Sequence, residues 1–213
     1  MGTKTEHAYQ IIKKKIMEGE YKPSENLNEV NLANAIVVSR NTIKKALLML
    51  ASEGLVDVQE NKGAKVKSFT LEEVINYLQV REVLEGLVAE LTAPIITDEE
   101  LNCLGETLLK MEACIKNNDL VQYSNYNLHF HNIIYTACKN KQAVQLINSI
   151  KTQVLRYHFR TILVPGRNMS SLQEHKNIYN ALKAHDVLES GRFIKIHISN
   201  VRDILTKNYQ FLI

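Results

Sequence analysis

The stretch SRNTIKKALLML, residues 39–50, has the pattern of a helix with one apolar face and one basic face. Its apolar residues recur at three- and four-residue steps, which places them in one stripe of a helix: Ile43, Ala46, Leu47 and Leu50. Arg40, Lys44 and Lys45 give the other face three positive charges and no acid, and Ser39 precedes the helix as an N-cap. A capped basic helix is suited to a DNA groove, although an isolated helix of this kind is more often a solvated surface helix.

The composition is that of an ordinary globular protein, with 213 residues, 45% hydrophobic and 23% charged. This length predicts one large or two modest domains, and we expect two. Only 3 prolines and 8 glycines favour a helical chain with few turns. A net charge of +3 is too small to indicate nucleic-acid binding by itself, so a basic binding surface would have to be local.

The cysteines and the hydropathy pattern indicate a cytoplasmic protein. Cys103, Cys114 and Cys138 are odd in number and lack metal-site or redox spacing, so we expect reduced thiols. The first residues lack the pattern of a secretory signal, and no apolar run approaches the roughly 20 residues that span a bilayer. We therefore expect no membrane partner.

Two further helical patterns precede the opening stretch. A first helix is predicted from the stripe Ala8, Ile11, Ile12 and Ile16, and a turn rich in Gly, Pro, Ser and Asn follows it. Asn28 can cap a second helix, whose apolar positions are Val30, Leu32, Ala33 and Ile36. A short break at residues 37–39 then leads into the basic helix. Two short helices joined by a tight turn, the second basic at its start, are typical of a helix-turn-helix.

Residues 54–69 predict a small β-hairpin after the basic helix. Apolar residues at alternating positions flank a polar turn at residues 60–63. Lys62, Lys65 and Lys67 lie in the tip and the second strand, where a hairpin beside a helix-turn-helix can act as a wing against phosphate or the minor groove.

The stretch from Gly19 to Val66 resembles the winged helix-turn-helix of the GntR family of bacterial transcriptional regulators. The residues that stand at the family's spacing are Gly19, Pro23, Leu27, Glu29, Leu32-Ala33, Ser39-Arg40, Ala46-Leu47, Glu53-Gly54-Leu55 and Gly63. The resemblance implies DNA contacts from Arg40, Asn41, Thr42 and Lys44 on the helix and from Lys62 and Gly63 in the wing.

The basic helix departs from the family pattern of proline, valine, arginine, glutamate at residues 42–45, where this chain has Thr42, Ile43, Lys44 and Lys45. Arginine can bind guanine bidentately, whereas the ammonium of Lys44 acts more as a point charge. Lys45 replaces an acid, and either a phosphate contact or a solvated charge fits it. These residues therefore do not predict which operator sequence the helix binds.

From Leu71 onward the strand signals disappear and six consecutive helices are predicted, which form a bundle. Their expected ranges are residues 71–91, 98–116, 120–138, 141–163, 170–184 and 186–209. Asn127 and His131 lie one turn apart on one helix, while His175 and His197 lie on the fifth and sixth helices. Inward-facing side chains of this kind build metal or ligand sites, although single histidines in helices are more often structural or exposed.

This second part resembles the FCD ligand-binding domain of the FadR-like subfamily. The residues that carry the resemblance are Tyr77, Arg81, Leu84-Glu85, Asn127, Phe130-His131, Asn140, Glu174-His175, Ile178, Ala181 and His197. In that class an Asp and three His commonly hold a divalent metal that helps to receive a small carboxylate. The resemblance thus implies a metal, Zn²⁺ or Ni²⁺, at Asn127, His131, His175 and His197. Arg81 stands at the family's pocket position and could pair bidentately with the carboxylate of the effector; Arg156 is a further candidate, for which a surface salt bridge fits equally.

Asn127 stands where the family usually has Asp, and this changes the expected charge of the site. An amide oxygen is a weaker ligand than a carboxylate and leaves more positive charge on the metal. An anionic effector would then be favoured as a further ligand.

The sequence therefore predicts a mainly α protein in two domains: a winged helix-turn-helix DNA-binding domain at residues 1–69 and an all-helical effector-binding and dimerisation domain at residues 70–213. We expect a homodimeric regulator on a pseudo-palindromic double-stranded operator, and a repressor, because the family leans towards repression. One alternative is the same regulator with a metal-free pocket for a larger acyl ligand. A three-histidine metalloenzyme is the other; it is disfavoured because no Glu or Asp stands at a matched position to act as general base.

Overall fold

The computed structural model describes residues 4–59 and 63–212, and for residues 59, 155–160 and 210–212 it describes the backbone alone. The chain divides into two compact units after Thr70, with Lys151–Arg156 grouped with the first unit. Up to Thr70 the elements are α1 (Lys4–Met17), β1 (Asn26–Leu27), α2 (Glu29–Ile36), α3 (Arg40–Ser52), β2 (Val56–Gln59) and β3 (Gly63–Val66). After it they are α4 (Leu71–Thr92), α5 (Asp98–Lys116), α6 (Leu120–Ala137), α7 (Lys141–Thr161), α8 (Arg167–Lys183) and α9 (Val187–Leu212).

The three helices of the first unit form where the apolar periodicity predicted them. Ile12 of α1 and Ile43 and Leu47 of α3 are buried in one core, which explains why these helices pack although each is short. Asn28 caps α2, since its side chain accepts from the backbone N–H groups of Val30 and Asn31. The predicted helix-turn-helix is confirmed.

The sheet of the first unit has a strand that the sequence pattern did not predict. β2 and β3 form the expected antiparallel hairpin, but β1 pairs with the other edge of β3 and gives the order β1-β3-β2. Residues 19–29 were expected to be only a turn. A two-residue strand is too short to show a period of two, and its pairing is instead extended by backbone bonds between Val66 and the residues Ser24 and Glu25.

The second unit is the expected helical bundle, with described core residues such as Leu104, Phe130, Ile147 and Ile178. Thr97 begins α5 with a capping box closed by Glu100. α8 begins at Arg167 rather than near Ser170, because Gly166 adopts φ +78° and lets the chain turn directly into the helix. The mainly α fold class is confirmed.

Part of the inward face of α4 is charged, while apolar residues on another face of the helix are exposed. Leu87 and Leu91 are exposed, whereas Arg81 and Glu85 are buried together. A buried ion pair at i, i+4 occupies the inward face, which a pattern of apolar residues alone does not reveal.

Candidate metal centre and nucleic-acid interface

The start of α3 presents polar and basic side chains from a helix whose other face is fixed in the core. The Ser39 hydroxyl accepts from the backbone N–H of Thr42 at 3.1 Å and lies 2.8 Å from the Thr42 hydroxyl, so Thr42 takes part in the cap. Arg40, Asn41 and Lys44 are exposed. A helix N-terminus also carries a partial positive charge, which suits an anionic partner such as phosphate.

The carboxylate of Glu29 lies next to Arg40. A terminal nitrogen of Arg40 lies 3.6 Å from the Glu29 carboxylate, while 68% of the Arg40 side chain stays exposed. Exposed pairs of this kind contribute about 0–1 kcal/mol, so Glu29 can direct the guanidinium without preventing its use by another ligand.

The turn before α3 contains a valine in the left-handed region. Val37 has φ +60° and ψ +50°, donates its N–H to the carbonyl of Ala33, and is 85% exposed. A β-branched residue is disfavoured in this conformation, and its exposed side chain gains little by packing. The conformation of this turn is therefore stabilised by the surrounding residues and not by the intrinsic backbone preference of valine.

The base of the wing is fixed by a close approach at Gly63. Gly63 has φ +96°, and a Cβ atom there would lie 2.2 Å from the carbonyl oxygen of Leu27. Only glycine fits this position. Lys62, the other predicted wing residue, lies outside the described residues, as do Glu60 and Asn61.

The second unit brings three histidines together in its interior. His131 of α6, His175 of α8 and His197 of α9 each offer a ring nitrogen, and these atoms lie within 4.8 Å of one another. All three side chains are buried. We call these residues the imidazole cluster. Sequence reasoning nominated all three, and packing of three separate helices brings them to one place.

The outer nitrogens of the imidazole cluster face hydrogen-bond acceptors. Nδ1 of His175 lies 2.6 Å from the Ser171 carbonyl oxygen, and Nδ1 of His197 lies 2.7 Å from a Glu174 carboxylate oxygen. A carbonyl or carboxylate oxygen only accepts, so both Nδ1 atoms must carry the proton. The Nε2 atoms of both rings are then left with lone pairs, as metal-ligating histidines require.

His131 also faces a carboxylate, on the other side of the cluster, at a longer distance than the Nδ1 contacts of His175 and His197. Its Nδ1 lies 3.3 Å from a carboxylate oxygen of Glu85, and its Nε2 lies 3.3 Å from Nε2 of His175. Two nitrogens each about 2.0–2.1 Å from a tetrahedral zinc ion are about 3.3–3.4 Å apart. The spacing of this pair therefore fits two ligands of one ion.

Burial favours the neutral forms of His175 and His197. It lowers the pKa of His175 to about 3 and, against the opposing effect of Glu174, the pKa of His197 to about 4. Burial by itself raises the pKa of Glu174, but hydrogen bonds from His197 and Arg167 outweigh it and lower that pKa to about 2. At neutral pH His175 and His197 are therefore uncharged imidazoles beside the ionised carboxylate of Glu174.

Two carboxylates support the imidazole cluster, that of Glu85, which is buried, and that of Glu174, which is 12% exposed, and neither was assigned a role from the sequence. Glu85 is paired with Arg81 on α4, and Glu174 accepts two bonds of 2.8 Å from Arg167 on α8. Glu85 and Glu174 were noted only as residues that match the FCD pattern. Arg167 and Glu174 are seven residues apart, whereas a spacing of three or four residues is the usual signal of an ion pair on a helix, so the sequence did not indicate this pair.

Three further residues were predicted for this site. Asn127 is buried one turn before His131 on the same face of α6, where its amide can join the donor set. Arg81 is buried and bonded through its Nε to Glu85. The side chain of Arg156 lies outside the described residues, although its backbone is part of α7.

The donor chemistry fits a borderline divalent cation. Three imidazoles and an amide oxygen suit Zn²⁺ or Ni²⁺ better than Mg²⁺ or Ca²⁺, which prefer carboxylate oxygens. Nε2 of His197 is buried and has no hydrogen-bond partner among the described residues, as expected for an atom reserved for a ligand.

The fold and these two sites define a class of protein, namely DNA-binding transcriptional regulators with a helical sensory domain. Residues 4–66 match the bacterial regulatory proteins of the gntR family, and residues 76–200 match the FCD domain. The chain belongs to the GntR family and carries an FCD domain. The recognition by sequence is confirmed at this level.

The chain is similar to regulators along most of its length. It is 28% identical over 216 residues to the HTH-type transcriptional regulator LutR of Bacillus subtilis, covering 92% of this chain and 98% of LutR. It is 23% identical over 195 residues to the HTH-type transcriptional repressor RspR of Escherichia coli, covering 92% and 86% of the two chains. The solved structure of E. coli McbR/YncC matches with a TM-score of 0.81 at 22% identity, covering 98% of this chain and 100% of that chain, which supports the fold.

The matched families and relatives are transcriptional regulators, which confirms the prediction of a regulator and decides against the three-histidine metalloenzyme. Among helices in the described ranges, none is long and apolar enough to cross a membrane.

Proposed function

We propose that this regulator is a FadR-like repressor whose operator binding responds to a small carboxylate effector received at a metal. Residues 1–69 bind the operator through Arg40, Asn41, Thr42 and Lys44 of α3 and through Lys62 and Gly63 of the wing. What supports this assignment is the exposed basic start of α3, with Ser39 as cap and the opposite face buried. The similarity to RspR, a transcriptional repressor, supports repression as the direction of control.

The metal is held by Asn127, His131, His175 and His197. The observation that carries this proposal is the lone-pair side of the imidazole cluster: the ring nitrogens converge within 4.8 Å, while the Nδ1 atoms of His175 and His197 donate away from it. When bound, Zn²⁺ or Ni²⁺ would supply a Lewis-acidic centre that accepts a carboxylate oxygen. Asn127 adds no charge, so the donor set leaves the full ionic charge for an anionic effector.

Arg81 and Arg156 are the proposed effector-binding residues. Glu85 occupies the Nε of Arg81, so the terminal nitrogens of that guanidinium are the atoms through which a carboxylate would bind. Effector binding must favour one of two arrangements of the regulator, since a ligand with equal affinity for both shifts nothing. Competition of the effector with Glu85 for Arg81 would supply such a difference on α4.

Residues 70–213 also form a homodimer in this proposal. Val80, Val83, Leu87 and Leu91 are exposed on one face of α4, at steps of three and four residues. A second copy packed on this stripe would remove it from water. Two-fold symmetry then implies a pseudo-palindromic operator, and DNA as the partner places the regulator in the cytoplasm.

Metal analysis and operator binding test the proposal together. After mild dialysis the purified protein should contain stoichiometric zinc or nickel, and His131→Ala should lose both the metal and the response of operator binding to a panel of small carboxylates. Operator fragments are first selected from genomic DNA with the wild-type protein. Absence of metal, with the effector response retained in His131→Ala, would instead favour a metal-free pocket for an acyl ligand.

A further inference from the structure

We infer that Glu174, itself held by Arg167, is a positioning residue for metal binding that fixes His197 in the tautomer with Nε2 turned into the imidazole cluster. The inference rests on the metal site proposed above. It gives a role to Glu174 and Arg167, which are not proposed as metal ligands. It also predicts which ring nitrogen of His197 carries the proton before any ion is bound.

The orientation of the Glu174 carboxylate is determined by four hydrogen bonds. One oxygen accepts from Arg167 Nη1 and from the side-chain amide of Asn200, both at 2.8 Å. The other accepts from Arg167 Nη2 at 2.8 Å and faces His197 Nδ1 at 2.7 Å. With its acceptor sites used in this way, the carboxylate has little freedom to rotate.

This orientation selects one tautomer of His197. If Nδ1 of His197 lacked its proton, a nitrogen lone pair would face a carboxylate oxygen at 2.7 Å, in a site shielded from water. Unpaired buried polar groups of this kind are costly. The proton is therefore held on Nδ1, and Nε2 is available as a ligand without any rearrangement.

A purely structural role explains the arrangement less well. Arg192 and Glu189 form a similar two-bond pair on the exposed side of α9, where no histidine is involved. Arg167 and Glu174 are instead largely removed from water, where an ion pair contributes little net stability because desolvation offsets the attraction. The pair of Arg167 and Glu174 instead directs a carboxylate oxygen, a hydrogen-bond acceptor, towards Nδ1 of His197.

Three variants of the full-length protein test the inference. Glu174→Leu removes the acceptor, and Arg167→Met combined with Glu174→Leu removes it without leaving a buried arginine unpaired. Glu189→Leu is the matched control, because it breaks the exposed pair on α9. In metal-free protein labelled with ¹⁵N at histidine, NMR reads the tautomer of each ring, and competition with a chelator reads the zinc affinity.

We expect His197 to lose its Nδ1–H signature in both Glu174 variants, while His175 keeps its own, because Ser171 supplies its acceptor independently. Zinc affinity should fall about 10- to 100-fold in these variants and stay at the wild-type value in Glu189→Leu. An unchanged His197 tautomer and unchanged zinc affinity in the folded double variant would overturn the inference. Failure of the wild-type protein to bind zinc would overturn the proposed metal site, and the tautomer measurement would still decide the role of Glu174.

Discussion

Nε2 of His131 and Nε2 of His175 lie 3.3 Å apart, on helices α6 and α8. Because Nδ1 of His175 donates to the Ser171 carbonyl, Nε2 of His175 presents a lone pair to its neighbour. A lone pair on His131 at this distance would be repelled. Either a proton on His131 or a cation shared by both rings removes the repulsion, so the contents of this space affect how α6 and α8 pack.

Removal of the metal should therefore lower thermal stability. A ligand present at 100 times its dissociation constant stabilises the folded state by about 2.7 kcal/mol, which corresponds to a shift of about 5–10 °C in a chain of this length. Calorimetry before and after chelation, and after zinc is restored, measures the effect. His131→Ala is the control and should show no zinc-dependent shift; an equal shift in this variant would place the metal elsewhere.

Arg40→Ala should weaken operator binding by about 1–3 kcal/mol if Arg40 contacts a base. The loss should be larger on the operator than on unrelated DNA of the same length at the same salt concentration. Lys116→Ala is the control, because it removes the same charge from an exposed position of α5. Unchanged operator affinity in Arg40→Ala would remove Arg40 from the recognition surface.

Val37→Gly should stabilise the first unit by about 1 kcal/mol, because glycine adopts the left-handed conformation without the steric cost that valine meets there. Val37 is so exposed that little packing is lost. Val30→Gly, in the exposed face of α2, is the comparison and should destabilise by about 0.5 kcal/mol through helix propensity. Chemical denaturation of both variants measures the two effects, and a loss of stability in Val37→Gly would contradict the strain at this turn.

Gly63→Ala should destabilise the first unit by more than Gly19→Ala. Both glycines have positive φ, but a Cβ at Gly19 meets nothing within 4 Å, whereas one at Gly63 collides with the Leu27 carbonyl. The backbone conformation alone costs about 1–2 kcal/mol, and the collision adds to it only at Gly63. Denaturation of the two variants separates the terms; equal losses would mean that the wing base can move aside.

The sequence predicted elements whose signal is local. The helices α1 to α3 and the caps Asn28 and Ser39 depend on periodicity and on side-chain chemistry within a few residues, and the structure has them where they were expected. β1 was missed because its pairing partner lies some forty residues away and its two residues carry no period.

The candidate site was predictable in part for the same reason. Each histidine could be proposed as a ligand from the sequence, and the family pattern grouped the three. Their Nδ1 partners could not be predicted, because these depend on how the helices pack. Ser171 contributes a backbone carbonyl, which no residue type reveals. Glu85 reaches His131 only because α4 and α6 are neighbours in the bundle.

The close approach of Gly63 to Leu27 connects two parts of the DNA-binding unit that the chain order keeps apart. Leu27 supports the wing base, and the next residue, Asn28, caps α2, the helix that precedes the recognition helix α3. A phosphate contact with the wing can therefore affect the start of α2 through the adjacent residues Leu27 and Asn28. We therefore expect the base of the wing and the two helices to move together when this unit meets DNA.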